Sequence, residues 1–128
     1  MSLNKVQKKV LIVDDEPHIR MALSFLVQKE GYQVAQAENG KAAVQILKEF
    51  TPDVAILDVM MPEMDGLSLA KYIRNTANLN RTAIIFLTAK GTQDDRFEGY
   101  QTGAEVYLTK PFENEHLINT LNEVVQFG

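Results

Sequence analysis

The chain contains no cysteine, which excludes disulfides and thiol catalysis and fits a cytoplasmic setting. No apolar stretch approaches the roughly 18 residues of a membrane span, and the apolar run near the start is too short for a secretory signal. Neither glycine-rich phosphate loop, G-x-G-x-x-G or G-x-x-x-x-G-K-[ST], occurs, so a nucleotide module of those kinds is excluded. There is no long basic block, and the net charge is −4; both argue against this domain gripping nucleic acid by itself. His18 and His116 each lack a second histidine at metal-ligand spacing and read as solvated side chains.

What is there is ordinary for one globular domain: 128 residues, 45% hydrophobic and 23% charged. Residues 1–8 read as a polar leader, in part left from expression, and 9–127 as the domain. Apolar runs at 10–13, 32–37, 54–57, 83–87 and 105–108 read as strands. Between and after them, helical spacing predicts helices over 17–30, 40–50, 66–76, 92–102 and 113–126. Ile19, Ala22, Leu23 and Leu26 are the expected inward residues of the first helix. Gly31 is its expected stop. The helix over 92–102 is weak, with only Phe97 and Tyr100 as large apolar residues.

Five strands, each followed by a helix, imply an α/β fold with a parallel sheet covered on both faces. The order 2-1-3-4-5 is one of two common doubly wound arrangements. In such a sheet every strand ends at one edge, and ligands bind there near the switch point between strands one and three. The residues at that edge are Asp14, Asp15 and Glu16, then Asp58, Thr88, Thr109 and Lys110. Taken singly each has a plain reading: Asp14 or Asp15 as a cap before Pro17, Asp58 as a loop residue, Thr88 as a strand-end hydroxyl, Lys110 as a solvated lysine. Taken together, those readings require several independent coincidences at one edge.

Carboxylates held together repel and cannot all ionise without a positive partner. Lys110 offsets one charge. A hard divalent cation, Mg²⁺ or Mn²⁺, suits an oxygen-only donor set with waters and a phosphate. A carboxylate so placed can attack phosphorus and become an aspartyl phosphate, with lysine and metal neutralising the phosphoryl oxygens. That accounts for an acid, Asp58, ending the apolar run Val54-Ala55-Ile56-Leu57.

The stretches VLIVDDEP, DVAILDVMMPEMDG, IIFLTAK and GAEVYLTKPF, in that order, resemble the receiver domain of bacterial-type response regulators over nearly the whole chain. The resemblance implies a flavodoxin-like (βα)5 fold and a signalling domain of a two-component phosphorelay, one that assists its own phosphorylation and dephosphorylation without being a classical enzyme. By position, Asp58 matches the phosphoacceptor. Asp15 matches a direct metal ligand, Asp14 one acting through water, and the backbone carbonyl of Met60 a further ligand. Thr88 and Lys110 match the residues that contact the phosphoryl group. Tyr107 matches the aromatic switch residue, and Lys110-Pro111 a peptide bond that is typically cis in the family. Met60 and Lys90 occupy the positions that tune dephosphorylation.

The implied partners are a sensor histidine kinase or phosphotransfer protein, and an output domain or target protein. The implied output surface is the fourth helix, fifth strand and last helix, with Asp94, Asp95, Arg96, Glu98 and Glu105 as polar contacts. Homodimerisation on activation is one expected use of it. The last helix lacks the arginine-rich pattern of many winged-helix transcription regulators, which argues against a symmetric dimer of that type. An aspartate-nucleophile phosphatase would want a second acid two residues after Asp58, where Met60 stands. The remaining alternative is a non-phosphorylated, receiver-like docking module.

Overall fold

A computed structural model describes residues 7–61, 64–88, 104–110 and 112–127. Strands β1 (Lys9–Val13), β2 (Gln33–Ala37), β3 (Val54–Asp58), β4 (Ala83–Thr88) and β5 (Val106–Thr109) alternate with helices α1 (Pro17–Lys29), α2 (Gly40–Leu47) and α3 (Gly66–Arg74), and α4 (Asn114–Phe127) follows β5. The expected helix over 92–102 lies outside the described residues, as do Lys90, Asp94, Asp95, Arg96, Glu98 and Pro111.

All pairings are parallel, and the sheet runs β2-β1-β3-β4-β5, as expected. Side chains on a strand alternate between faces, so the sheet builds two cores. Leu11, Val13, Ala55, Leu57, Ile84, Phe86 and Tyr107 pack with Leu69, Ala70 and Ile73 of α3 and Ala43 and Leu47 of α2. Val10, Ile12, Val54, Ile56, Ile85, Leu87 and Leu108 pack with Leu23 and Val27 of α1 and Leu117, Leu121 and Val124 of α4. Each fully buried Leu, Ile or Phe contributes about 1.5–3 kcal/mol, which explains why β3 and β4 are apolar at consecutive positions and not at alternate ones.

The helix ends follow local chemistry. Pro17 opens α1, where its missing N–H costs nothing. Gly31, at φ 101°, terminates it in the left-handed conformation that glycine tolerates. Asn39 caps α2 by accepting from the Ala42 N–H at 2.7 Å, and Asp65 caps α3 by accepting from the Ser68 N–H at 2.8 Å. Helix α2 stops at Leu47, short of the expected residue 50. The Lys48 and Glu49 N–H groups bond three residues back, a tightening that suits a chain approaching Pro52. The buried row of α1 is Leu23, Ser24 and Val27, with Ile19 and Leu26 half-buried. Ala22, expected inward, is exposed, and so are Met21 and Phe25.

Candidate functional site

Strands β1 and β3 pair in register from Val10↔Val54 to Val13↔Leu57. Asp14 and Asp58 follow the same alternation beyond Ile12 and Ile56, so the topology brings them side by side. Asp58 is the last residue of β3, paired with Leu87, and not a residue beyond the strand. Thr88 ends β4 in the same way, opposite Thr109.

Carboxylate oxygens of Asp14, Asp15 and Asp58 all lie within 4.8 Å of one another. Asp14 is fully buried and Asp58 is 4% exposed, whereas Asp15 faces solvent. Lys110 closes the site from the end of β5: its Nζ donates to Asp14 Oδ2 at 2.9 Å and lies 3.6 Å from Asp58 Oδ2. The Lys110 N–H donates to the Thr88 carbonyl at 2.7 Å, which fixes the lysine backbone against β4. The Met60 N–H donates to Asp58 Oδ1 at 3.3 Å.

Electrostatics follow from this crowding. Burial, and next the charge of Asp14, push the Asp58 carboxyl up to about 7 against the opposing pull of Lys110; a hydrogen bond with Asp15 raises it further. Burial works to lower the Lys110 ammonium, but its hydrogen bond to Asp14 and the charges of Asp14, Asp58 and Glu16 outweigh that and raise it. The Lys110 ammonium thus faces several acids, a net negative cluster whose charge a bound cation would offset.

Neither Asp14 nor Asp15 caps α1. The cap position is Glu16, with no side-chain cap bond, while Asp14 Oδ1 accepts from the Glu16 N–H at 2.9 Å. Tyr107 is buried, its ring 5.6 Å from Phe86 and tilted by 50°, so it already lies inward. Thr88, fully buried, continues the Ile84–Phe86 row on that same face. His18 and His116 are exposed, as expected. His18 borders a largely apolar groove of about 520 Å³ between α1 and the start of α4, into which Lys110 and Phe112 also look. Met60 is 60% exposed beside Asp58.

Gly66, expected as part of a turn that launches the third helix, and Arg20, which sequence reasoning did not single out, shape this edge; Arg74, also not singled out, acts at the opposite end of the sheet, where β4 begins. A Cβ at Gly66 would overlap the carbonyl oxygen of Asp58 itself, so the glycine is a close-approach residue and not simply part of a turn. Arg20 donates from Nη1 to the Asp14 carbonyl at 2.7 Å. Arg74 donates to the Thr82 carbonyl and pairs with Glu105 at 3.4 Å. Glu105, expected as an outward contact, is instead engaged internally. Its Oε1 accepts from the Ile84 N–H at 2.7 Å, the position where β5 has not yet begun to pair. None of these contacts carries a local sequence signal, because each depends on a partner distant in the chain or around a helix start.

A fold of this order, with an acid triad and a lysine at its switch point, defines a receiver module. The family model for the response regulator receiver domain matches residues 10–122, and the chain belongs to that family. It is 35% identical over 119 residues to the phosphate regulon transcriptional regulatory protein PhoB of Klebsiella pneumoniae, covering 93% of this chain and 52% of PhoB. The chain thus spans about half the length of the curated relatives it matches. Among solved structures, chemotaxis response regulator CheY4 of Vibrio cholerae superposes with a TM-score of 0.87 at 37% identity, covering 93% of this chain and 99% of CheY4. The receiver domain of sensor histidine kinase PA1611 from Pseudomonas aeruginosa, which has a magnesium ion coordinated in its active site cleft, superposes at 0.85 with 30% identity, covering 94% and 99%. No helix among the described residues is long and apolar enough to cross a membrane.

Proposed function

We propose that Asp58 accepts a phosphoryl group from a phosphohistidine, on a sensor histidine kinase or a phosphotransfer protein, and that the resulting aspartyl phosphate is the signal. The observation that carries this is a nearly buried carboxylate held 3.6 Å from a lysine ammonium with two further acids within 4.8 Å. An Asp58 carboxylate oxygen forms the bond to phosphorus as the phosphorus–nitrogen bond breaks, and the imidazole leaves with the electron pair. Lys110 neutralises charge on the phosphoryl oxygens, and Thr88 supplies a hydroxyl donor.

The donor set fits Mg²⁺ or Mn²⁺: only oxygens, one ligand open to water, and a net negative cluster. Asp15, Asp58 and the Met60 backbone carbonyl would hold the ion directly, and Asp14 through water. When bound, the ion supplies the positive charge that lets Asp58 be an anion at neutral pH and stabilises the transferring phosphoryl group.

The receiver unit spans 9–127, with a further output domain or a separate target protein reading its state, as in the longer relatives. Phosphorylation biases a two-state equilibrium by contacting one state better than the other. Thr88 moves toward the phosphoryl oxygens; Tyr107, expected from the sequence to turn inward on activation, is already buried and stays behind Thr88. The surface that changes comprises the fourth-helix segment, β5 and α4, and activation by this route supports homodimerisation; nucleic acid is not contacted by this domain.

Intact-mass analysis after acetyl phosphate and Mg²⁺ treatment is expected to show one added phosphate in wild type and none in Asp58→Ala. Labelling that survives the substitution sinks the assignment. Hydrogen exchange with and without beryllofluoride tests the switch, and unchanged protection through β4 and β5 refutes it.

A further inference from the structure

Every polar atom of Asp14 is engaged inside the chain. Its N–H donates to the Ala37 carbonyl at 3.2 Å, Oδ1 accepts from Glu16 N–H at 2.9 Å, and Oδ2 accepts from Lys110 Nζ at 2.9 Å. Its carbonyl accepts from Arg20 Nη1 at 2.7 Å. The first three contacts fix Asp14 from β2, from its own turn and from the end of β5. The fourth is the contact that reaches it from the body of α1. Arg20 is half-buried and six residues along the chain, so its bond closes a ring around Asp15, Glu16 and the helix start.

Asp15 is the exposed member of the acid cluster, so the turn it sits on sets where its carboxylate lies. Arg20 is a strong cation beside several acids, yet its hydrogen bond goes to a backbone carbonyl. That choice uses the guanidinium as a brace and not as a partner for a carboxylate. We propose that Arg20 is a positioning residue for the metal site, holding the Asp14–Glu16 turn so that Asp15 presents its carboxylate in the binding geometry. The proposal rests on the reading of this edge as a cation-dependent phosphoacceptor site.

The sign of the effect separates a brace from a charge. Removing a cation beside carboxylates would, through Coulomb attraction alone, tighten Mg²⁺ binding. Removing a brace weakens it, and groups that orient metal ligands typically matter by 10- to 100-fold. The experiment is an NMR titration with Mg²⁺ of wild type, Arg20→Met and Arg20→Lys, with thermal unfolding in EDTA run alongside. Arg20→Met is expected to bind Mg²⁺ about tenfold more weakly and to shift the Glu16 amide resonance in the metal-free protein. Arg20→Lys, which keeps the charge but not the planar fork, is expected to fall between, about threefold weaker.

Tighter binding in Arg20→Met overturns the proposal in favour of a charge effect. A lowered unfolding temperature with wild-type Mg²⁺ affinity overturns it in favour of a merely structural role. Should Arg20→Met fail to fold, Arg20→Lys decides: wild-type affinity with an unshifted Glu16 amide overturns the proposal. The titration needs no phosphoryl transfer. Wild type that binds Mg²⁺ but refuses acetyl phosphate would remove the proposed function and leave the comparison of variants intact; wild type that does not bind Mg²⁺ would remove both.

Discussion

Replacing Asp58 with asparagine should stabilise the metal-free protein at neutral and alkaline pH, although it removes the proposed phosphoacceptor. Asp58 is raised in the folded state from the ordinary 3.8 to about 7. A group raised on folding contributes stability that is fully present below its unfolded value and is lost as pH rises through its folded value. Wild type should therefore lose stability between about pH 4 and pH 7, while Asp58→Asn, which cannot ionise, should not lose this component. At about 1.36 kcal/mol for each pH unit, the full span is about 4 kcal/mol. The cleft is open to water at Asp15, so screening reduces this, and about 2 kcal/mol is the expected difference at pH 8. Urea unfolding of both proteins in EDTA from pH 4 to pH 9 measures it. Mg²⁺ should reverse the order, because a ligand at 100 times its Kd stabilises the binding-competent protein by about 2.7 kcal/mol. A difference that is independent of pH, or an asparagine variant less stable than wild type at pH 8, refutes the reasoning.

Gly66→Ala should cost about 1–3 kcal/mol and slow labelling by acetyl phosphate, because the new methyl displaces the Asp58 carbonyl; unfolding and intact-mass time courses check both. Glu105→Ala should cost about 1–2 kcal/mol by stranding the Ile84 N–H, and a double-mutant cycle with Arg74→Ala in urea should show that the two losses are not additive. Met60→Asn should speed loss of phosphate from Asp58 severalfold, since an amide can orient the attacking water and a thioether cannot; decay followed by intact mass under fixed Mg²⁺ and pH tests it, and an unchanged or slower decay refutes it. Lys90, the other position expected to tune dephosphorylation, lies outside the described residues.

The fold was legible wherever burial dictated residue type. The strands β3 and β4, apolar up to their last residue, and the alternating helices carried the topology, and the strand-end acids carried the candidate site. Boundaries were less legible, because apolarity ends before backbone pairing does: Asp58, Thr88 and Thr109 are polar yet occupy the last rung of their strands. In helix α1, Ile19, Leu23 and Leu26 turn inward as expected, and Ala22 does not. The helix has apolar residues at 19, 21, 22, 23, 25, 26 and 27, nearly all round, so periodicity alone does not settle where Ala22 faces. The close approach of Gly66 and the braces Arg20 and Arg74 escaped notice for a different reason. What makes each of them matter is a backbone atom of another element, and composition does not encode proximity.

The contact between Lys110 and Asp14 joins residues 96 positions apart, and all the strands from β2 to β5 lie within the loop it closes. A chain growing from its start acquires its three acids early and their cation last. Until β5 docks on β4, Lys110 is not held against Asp14 and Asp58, so on the proposed function an unfinished or partly folded molecule is not expected to accept phosphate. The geometry of the acid cluster in this sense waits for the end of the sheet, where Lys110 meets both Asp14 and Asp58.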